Sequence, residues 1–335
     1  MNFPNSKEIL EVINASSSIV LSLHISTDPD SIISNLLFKN FLEKLNKKVT
    51  FITPEVVNNK FKTMYDLSSL KDSVDVYKNL SDYDLFITLD VNEPSRVGLN
   101  EENHKMIKTI NIDHHQNLNY YEPFKISDTA YSSTSEMIFL FFEDIGYSFS
   151  SEEVNLLLEG IITDTESFSY SSSSRVFKTV SKLIELGANY DIVNAKIYRN
   201  NSIDQLKFWS KGLSKIKVDK KHKFSYIALS LKDLEKYKNI IQGTRSLADK
   251  FVRTVEGTNF GMVIIEREEG GVKISVRSRV IGYGLTKLLK DLNGGGHFDG
   301  GGGQIDNMSY KDAVKTALKI TRKFAKEKNN NDSLN

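Results

Sequence analysis

Four apolar segments of this chain are each followed by residue types that bind metal ions, and this repetition constrains the fold more than any other feature. Carboxylate or imidazole side chains follow the segments at 19–23, 85–89, 106–112 and 156–162. In an open parallel sheet, side chains that follow the strands meet in a crevice at the carboxyl ends of those strands. The sequence therefore predicts one polar site formed by His24, Asp28, Asp30, Asp90, Asp113, His114, His115 and Asp164.

The first half of the chain alternates strand-like and helix-like segments. In residues 31–45, for example, apolar side chains recur with a period of about 3.6, which is typical of an amphipathic helix. The predicted strands are Leu21–Ile25, Val49–Ile52, Leu85–Leu89 and Thr109–Ile112, and the predicted helices are Ser31–Leu45, Ser133–Ile145 and Ser151–Thr163. Such alternation indicates an α/β fold with a doubly wound parallel sheet and right-handed crossovers.

The pattern changes after about residue 190, where strands begin to follow one another. The predicted elements of the second half are helices at Phe177–Gly187 and Tyr190–Tyr198, a connecting helix within 200–215, and strands at Phe224–Leu229, Gly261–Glu266 and Lys273–Arg277. A glycine-containing turn at 268–271 is expected to join the last two strands as a hairpin. We therefore expect a smaller α/β domain with a mixed sheet, across a cleft from the first. The expected boundaries are 1–192 for the first domain, 193–215 for a helical linker, 216–327 for the second domain and 328–335 for a disordered tail.

Composition narrows the chemistry that the polar site can carry. The chain of 335 residues has no cysteine, so disulfides and thiolate metal sites are excluded. Its net charge of +1 gives no strong field toward long duplex nucleic acid. No apolar run approaches the ~20 residues of a membrane span, and residues 1–8 lack the apolar core of a signal peptide. We expect a cytoplasmic protein without a membrane partner.

A pair of divalent cations suits the donor types of the predicted site. A single Asp after a strand is most often a turn residue or a helix cap, but that explanation would have to hold separately at each of the predicted positions. Two cations ~3.5–4 Å apart would clamp the attacking and leaving oxygens of a phosphoryl transfer. Oxygen and imidazole donors favour two Mn²⁺, with Mg²⁺ or Co²⁺ as substitutes. Asp113 is the candidate that would hold a neighbouring histidine in one tautomer.

Four sequence blocks resemble those of the DHH phosphoesterase superfamily. The matching blocks are His24–Asp30, Asp90–Gly98, Asp113–His115 and Gly160–Phe168. In the first block, Thr27 and Pro29 stand where the family usually has proline and glycine, while the histidine and both aspartates match. The stretch Ser132–Glu136 also resembles the nanoRNase subgroup, and Arg96 in the second block is expected to support the acidic loops.

The second half resembles the substrate-binding domain that accompanies DHH domains. Residues 294–303 contain seven glycines around His297, and a familiar Ser-Val-Arg-Ser-Arg stretch precedes them. Consecutive glycine amides can form an anion-binding nest, and alternation along a strand would place Arg277 and Arg279 on one face of the sheet. The resemblance implies substrate binding by Arg277, Ser278, Arg279, Gly294, Gly295, Gly296 and His297.

The resemblance also implies roles for the residues of the first half. His24, Asp28 and Asp90 would hold one Mn²⁺, and the other would be held by Asp30, Asp90, His114 and Asp164. The catalytic residues would be His115, which faces the substrate phosphate, and Asp113. The implied activity is manganese-dependent hydrolysis of short adenylate nucleotides to mononucleotides, by attack of a hydroxide that bridges two ions. The substrates in question are nanoRNA, pApA, cyclic di-AMP and pAp, which the sequence does not rank.

Three other functions stay open at this point. A RecJ-like single-strand exonuclease usually has a longer chain, and a manganese pyrophosphatase lacks the glycine-histidine turn. A nucleotide sensor without turnover is the alternative from a different class, although the complete set of predicted ligands argues against it. The expected partners are short nucleotides rather than long duplex nucleic acid, and the sequence leaves open whether the chain forms a homodimer.

Overall fold

The computed structural model describes residues 3–115, 124–169, 171–237 and 244–332. The chain divides into two compact units, Met1–Asn200 and Asn201–Asn335, each with its own sheet. No helix within the described residues combines the length and the apolar character needed to cross a membrane.

The first unit contains a six-stranded sheet in which neighbouring strands run parallel. Its strands are β1 (Ser18–Ser22), β2 (Lys48–Thr53), β3 (Lys71–Asp72), β4 (Leu85–Leu89), β5 (Thr109–Asp113) and β6 (Phe124–Ser127). The spatial order β3-β2-β1-β4-β5-β6 reverses direction between β1 and β4. The predicted doubly wound parallel sheet is confirmed, and this reversal is the point at which such sheets usually bind ligands.

Helices connect these strands and pack on both faces of the sheet. The helices are α1 (Ser6–Ala15), α2 (Pro29–Lys44), α3 (Asn59–Met64), α4 (Val74–Lys78), α5 (Glu101–Lys105), α6 (Thr134–Asp144), α7 (Ser151–Asp164), α8 (Ser174–Glu185) and α9 (Tyr190–Tyr198), with 3-10 turns at Leu80–Asp82 and Pro94–Val97. Aromatic rings fix the packing of α2 against α6, where Phe41 and Phe142 lie 5.0 Å apart between centroids. All five residues of β4 are buried, as expected for a central parallel strand.

Strand β1 begins and ends three residues earlier than the sequence predicted. Leu23 is still buried, and its amide donates to the carbonyl of Ile52 over 3.0 Å. Beyond it the chain leaves the sheet, and Ser26 has a φ of +60° in the left-handed region. The apolar run therefore continues past the last paired residue, and His24 belongs to the loop rather than to the strand.

The second unit contains a six-stranded mixed sheet, so the predicted fold class is confirmed for both units. Its elements are β7 (Lys217–Asp219), β8 (Phe224–Leu229), β9 (Phe260–Glu266), β10 (Val272–Ser278), β11 (Gly295–His297) and β12 (Gly300–Ile305), with α10 (Ile203–Leu213), α11 (Leu231–Leu234), α12 (Thr244–Lys250), α13 (Thr286–Asp291), α14 (Tyr310–Asp332) and a 3-10 turn at Val252–Thr254. The order is β11-β12-β10-β9-β8-β7, and β8 and β9 pair in parallel. Helix α14 continues past residue 327, the predicted domain end, to Asp332.

The glycine-rich segment forms a β-hairpin rather than an isolated turn. Strand β11 pairs antiparallel with the start of β12, and β12 pairs with β10. A Cβ atom on Gly294 would lie 2.0 Å from the carbonyl oxygen of Gly302, and one on Gly296 would lie 2.4 Å from Cα of Gly301. Backbone therefore packs against backbone at these positions, which is why the hairpin requires glycine.

Candidate metal centre

The eight residues predicted to form one polar site do lie together, at the carboxyl ends of β1, β4 and β5 and the C-terminus of α7. We call these eight residues the Asp/His cluster. Their donor atoms fall into three groups, and within each group the atoms lie within 4.8 Å of one another. The groups are His24, Asp28 and Asp90; Asp30, His114 and Asp164; and Asp90, Asp113, His114 and His115.

Asp90 occupies the middle of the cluster. Its Oδ2 lies 3.3 Å from Nε2 of His24, while its Oδ1 lies 3.5 Å from Nε2 of His114 and 3.4 Å from Nδ1 of His115. The residue is 2% exposed and directly follows β4 with a φ of +65°. This conformation costs a residue other than glycine roughly 1–3 kcal/mol, and such costs are concentrated at functional sites. The backbone thus turns the carboxylate toward three histidines from two different loops.

The two ring nitrogens of His24 have different neighbours: Nε2 faces Asp90, and Nδ1 faces the loop. Its Nδ1 lies 2.9 Å from the carbonyl oxygen of Ile25 and 2.9 Å from a terminal nitrogen of Arg96. The guanidinium can only donate to Nδ1, whereas a cation at Nε2 would require a proton on Nδ1, which the carbonyl of Ile25 would accept. Arg96 also donates to the same carbonyl over 3.4 Å, so it supports the loop as the sequence indicated.

Asp28 and Asp30 flank the first residue of α2 and face different parts of the cluster. Asp28 caps the helix, since its Oδ1 accepts a hydrogen bond from the amide of Ser31 over 3.2 Å. Asp30 lies in the first helical turn and is buried. Their carboxylates belong to different donor groups of the cluster, and the start of a helix at Pro29 separates them.

Asp164 reaches the cluster from the end of a helix rather than the end of a strand. Its Oδ2 lies 3.3 Å from Nε2 of His114. The chain then turns through Glu166, Ser167 and Phe168, whose φ angles of +44°, +54° and +67° all lie in the left-handed region. Three such residues in succession are costly because their Cβ atoms crowd the backbone. This turn follows α7, which ends at Asp164.

Asp113 holds the ring of His115. Its Oδ1 accepts hydrogen bonds from Nδ1 of His115 over 2.8 Å and from the amide of His115 over 3.1 Å. Asp113 is fully buried at the end of β5, so it anchors the more exposed histidine to the sheet. This contact selects the tautomer with a proton on Nδ1 and agrees with the orienting role predicted for Asp113.

The carboxylates and histidines of the cluster perturb one another strongly. Burial raises the pKa of Asp30 well above its ordinary value, and the carboxylates of Asp90 and Asp164 add to the rise. Burial likewise raises the pKa of Asp164, to about 7. Burial disfavours the charged form of Asp90, but contacts with His114 and His24 outweigh it and hold that pKa well below its ordinary value. Burial lowers the pKa of His114, yet the surrounding carboxylates, Asp164 first, raise it well above its ordinary value. Without a cation, the cluster therefore keeps protons that a divalent cation would replace.

The donor atoms present fit a divalent metal centre. Nε2 of His114 and Oδ2 of Asp113 are buried and make no hydrogen bond within the described residues. A buried polar atom without a hydrogen bond usually signals a missing partner, and this imidazole nitrogen faces two carboxylates. The donors are oxygen and nitrogen throughout because the chain has no cysteine. That donor set favours cations such as Mn²⁺ or Mg²⁺ over soft metals.

The residues predicted to bind substrate lie in the second unit. Nε of Arg277 donates to Oδ1 of Asp249 over 2.5 Å, and its Nη1 donates to the carbonyl of Gly301 over 3.2 Å. Arg279 lies one residue past the end of β10, so strand alternation does not place it on the same face as Arg277, and its Nη1 donates to the carbonyl of Thr258. Ser278 is buried. His297 ends β11, and its side chain lies outside the described part of the structure.

Most of the first unit matches a known protein family. Residues 18–161 match the profile of the DHH family, N-terminal domain. This segment belongs to the DHH family. The matched segment runs from β1 into α7 and contains every residue of the Asp/His cluster except Asp164, which lies three residues beyond it. The predicted family is therefore confirmed.

Individual proteins similar to this DHH chain extend the comparison to its full length. A bifunctional oligoribonuclease and PAP phosphatase, NrnA, of Thermus thermophilus is 25% identical over 94% of this chain and 92% of its own. A cyclic-di-AMP phosphodiesterase, PdeA, of Listeria monocytogenes is 25% identical over 93% of this chain and 48% of its own. An exopolyphosphatase-related protein of Bacteroides fragilis is 26% identical in sequence. Its crystal structure matches this chain with a TM-score of 0.86 over 97% of both chains. The DHH match, the similar phosphoesterases and the donor groups that could hold a metal ion together support a metal-dependent hydrolase of phosphoric esters.

Proposed function

We propose that this DHH protein hydrolyses a phosphoester bond in very short adenylate nucleotides, with two Mn²⁺ ions as cofactor. The substrates in question are nanoRNA, pApA, cyclic di-AMP and pAp. The observation that carries the proposal is the position of Asp90, whose two carboxylate oxygens face His24 on one side and His114 and His115 on the other. A carboxylate shared in this way is suited to bridge two cations.

The two proposed ligand sets follow the donor groups of the cluster. One set is His24, Asp28 and Asp90, and the other is Asp30, Asp90, His114 and Asp164. When bound, two such cations neutralise the charge that develops on a transferring phosphoryl group and activate the attacking water. The protein holds the donor atoms at fixed distances before the reaction starts, so little reorganisation is needed.

His115 is the residue of the cluster proposed to move a proton. Asp113 binds its Nδ1 and orients the ring, which we propose faces the substrate phosphate. Burial lowers the pKa of His115, but the contact with Asp113 outweighs burial and raises that pKa above its ordinary value. A histidine whose pKa is raised holds its proton more firmly, and such a group can donate a proton to the departing ribose oxygen, which is general acid catalysis.

The names of the similar proteins support the choice of substrates. The Thermus protein is named for short RNA and PAP, and the Listeria protein for cyclic di-AMP. The present chain covers nearly the whole of the first and about half of the second. All of these substrates contain an adenylate phosphate, which a single metal centre could attack. We place the proposed activity in the cytoplasm, where such nucleotides arise.

A substrate panel tests the proposed function. Purified protein is incubated with pApA, pAp, cyclic di-AMP and a short oligoadenylate, in Mn²⁺ and in parallel after chelation with EDTA. Pyrophosphate, polyphosphate and long single-stranded DNA complete the panel. We expect at least one adenylate to be cleaved in Mn²⁺ and spared in EDTA. Intact adenylates would refute the proposal, and cleavage confined to pyrophosphate or long DNA would favour the alternative hydrolases.

Arg277 is proposed to bind the nucleotide rather than to take part in the chemistry. Substitution with alanine removes charge-assisted hydrogen bonds worth about 1.5–3 kcal/mol, so we expect KM for pApA to rise ~10- to 100-fold. The value of kcat should change by less than about threefold, because binding that is equal in ground and transition states affects KM alone. Arg267→Ala is the matched control, since Arg267 pairs with Glu269 and Asp306 in the same unit. A change in kcat with unchanged KM would contradict the proposed role.

A further inference from the structure

We propose that Thr134 and Ser135, at the start of α6, are positioning residues that fix Asp30 and Asp90 before a cation binds. The inference rests on the proposed function, because it assigns these carboxylates as metal ligands. Sequence comparison of the stretch Ser132–Glu136 indicated a resemblance but no role for its residues. Hydrogen bonds from these two residues to the carboxylates of Asp30 and Asp90 supply that role.

The start of α6 holds both oxygens of the Asp30 carboxylate. The amide of Thr134 donates to Oδ2 of Asp30 over 2.7 Å, and the amide of Ser135 donates to Oδ1 over 2.9 Å. The hydroxyl of Ser135 donates to the same Oδ1. Free amides at a helix N-terminus carry partial positive charge, so they favour a carboxylate at this position. With both oxygens held, the side chain of Asp30 has one orientation.

Thr134 connects the two proposed ligand sets. Its amide binds Asp30, while its hydroxyl donates to Oδ1 of Asp90 over 3.2 Å. This oxygen of Asp90 is also the one that lies 3.5 Å from His114 and 3.4 Å from His115. A single residue outside the Asp/His cluster therefore aligns the carboxylate proposed to bridge both cations with a carboxylate that belongs to one set.

Buried contacts from neighbouring helices keep the start of α6 in place. Ser133 caps the helix by accepting the amide of Glu136 over 3.0 Å. The fully buried carboxylate of Glu136 accepts hydrogen bonds from the amide of Ser132 over 2.7 Å and from Nε of Arg175, on α8, over 3.3 Å. The contact between Arg175 and Glu136 thus connects α8 to the start of α6, and it stabilises the amides that bind Asp30.

Helix α7 packs closely against Ser135 and Asp30 at Gly160. A Cβ atom on Gly160 would lie 2.0 Å from Oγ of Ser135 and 3.1 Å from Oδ1 of Asp30. A glycine in the middle of a helix costs about 1 kcal/mol relative to alanine, so its presence here has a packing reason. A side chain at position 160 would displace the Ser135 hydroxyl, so the glycine leaves room for its contact with Asp30.

The test compares Thr134→Val with Thr134→Ser in the full chain. Valine keeps the shape and the amide of threonine but removes the hydroxyl, so Asp90 loses one anchor. We expect Mn²⁺ affinity, measured by calorimetric titration, to fall ~10- to 100-fold, the usual cost of losing a partner that orients a metal ligand. We also expect kcat for pApA to fall with little change in KM, and serine to restore both to within about threefold.

Two further variants separate positioning from general destabilisation. Thr321→Val is the control, because the buried Thr321 hydroxyl donates to the carbonyl of Ala317 within its own helix in the second unit. It should match the parent protein in Mn²⁺ affinity and kcat. Ser135→Ala keeps the amide clamp on Asp30 and should weaken Mn²⁺ binding less than Thr134→Val. Thermal unfolding in EDTA establishes that each variant folds.

The outcomes distinguish this inference from the proposed function. If the parent protein binds Mn²⁺ but cleaves no adenylate, the proposed function fails, while the loss of Mn²⁺ affinity in Thr134→Val still supports positioning. If Thr134→Val folds and binds Mn²⁺ as the parent does, or if serine fails to restore binding, the inference is overturned. A parent protein that binds no Mn²⁺ would overturn it as well.

Discussion

Asp90→Asn is expected to lower kcat/KM for pApA at least ~1,000-fold, because loss of the shared ligand removes about 4 kcal/mol of the charge stabilisation that two cations provide. The amide has nearly the same size as the carboxylate but carries no charge. Both proposed ligand sets include Asp90, so calorimetric titration should show that fewer Mn²⁺ bind, and more weakly. Steady-state hydrolysis of pApA in saturating Mn²⁺ gives the comparison with the parent protein.

Asp84→Asn is the matched control for this substitution. Asp84 precedes the same strand, β4, at its opposite end, where its Oδ2 accepts hydrogen bonds from the amides of Ser17 and Ser18. The variant should retain the activity and the Mn²⁺ stoichiometry of the parent, because Asp84 is exposed and far along the strand from the cluster. Full activity in Asp90→Asn would remove the basis for a shared metal ligand.

Replacement of Asp113, His114 and His115 together by alanine should abolish measurable hydrolysis of pApA while the protein still folds. The change removes one proposed ligand, the proposed proton donor and the carboxylate that orients it. In EDTA the unfolding temperature should move by less than about 4 °C. The substitution removes both attractive and repulsive contacts between the three residues and the remaining buried carboxylates, so the net change in the free energy of unfolding is about 1 kcal/mol. Loss of folding in EDTA would contradict this expectation.

Metal-linked stability gives an independent measurement on the triple variant. Mn²⁺ at 100 times its dissociation constant should stabilise the parent by about 2.7 kcal/mol, which appears as a higher unfolding temperature. The triple variant should show much less of this gain at the same Mn²⁺ concentration. An equal gain in both proteins would place the binding site outside the DHH tripeptide.

Elements whose sequence carries a clear apolar run or helical period were predicted well. The bounds of β4, β8 and α9 match the predicted segments, since each apolar run or helical period stops at a polar residue. The two-residue strand β3 is exposed and has no apolar signal. The glycine-rich hairpin gave no strand signal either, because glycine is a poor strand former and its pairing here depends on close backbone contact.

The composition of the Asp/His cluster could be predicted from the sequence, but its geometry could not. Residue type and position after apolar segments pointed to the eight members, and all of them lie together. The helix start at Pro29 and the positive φ of Asp90 decide where the carboxylates point. A positive φ outside glycine leaves no mark in the sequence, because the surrounding structure imposes it.

The residues around the cluster were the part that sequence reasoning missed. Thr134 and Ser135 stand in a Ser-Thr-Ser-Glu stretch that marks the start of a helix, and this signal predicted α6 without revealing which carboxylate its amides would face. Gly160 reads as a mildly unfavourable helix residue until its contact with Ser135 is known. Such partners depend on tertiary packing between α2, α6 and α7.

The most direct measurement is a crystal structure of the protein grown with Mn²⁺, with data collected at the manganese absorption edge. Two anomalous peaks ~3.5–4 Å apart are expected in the first unit, both within coordination distance of the Asp90 carboxylate. Peaks elsewhere in the chain, or an absence of manganese at Asp90 in well-ordered crystals, would contradict the account.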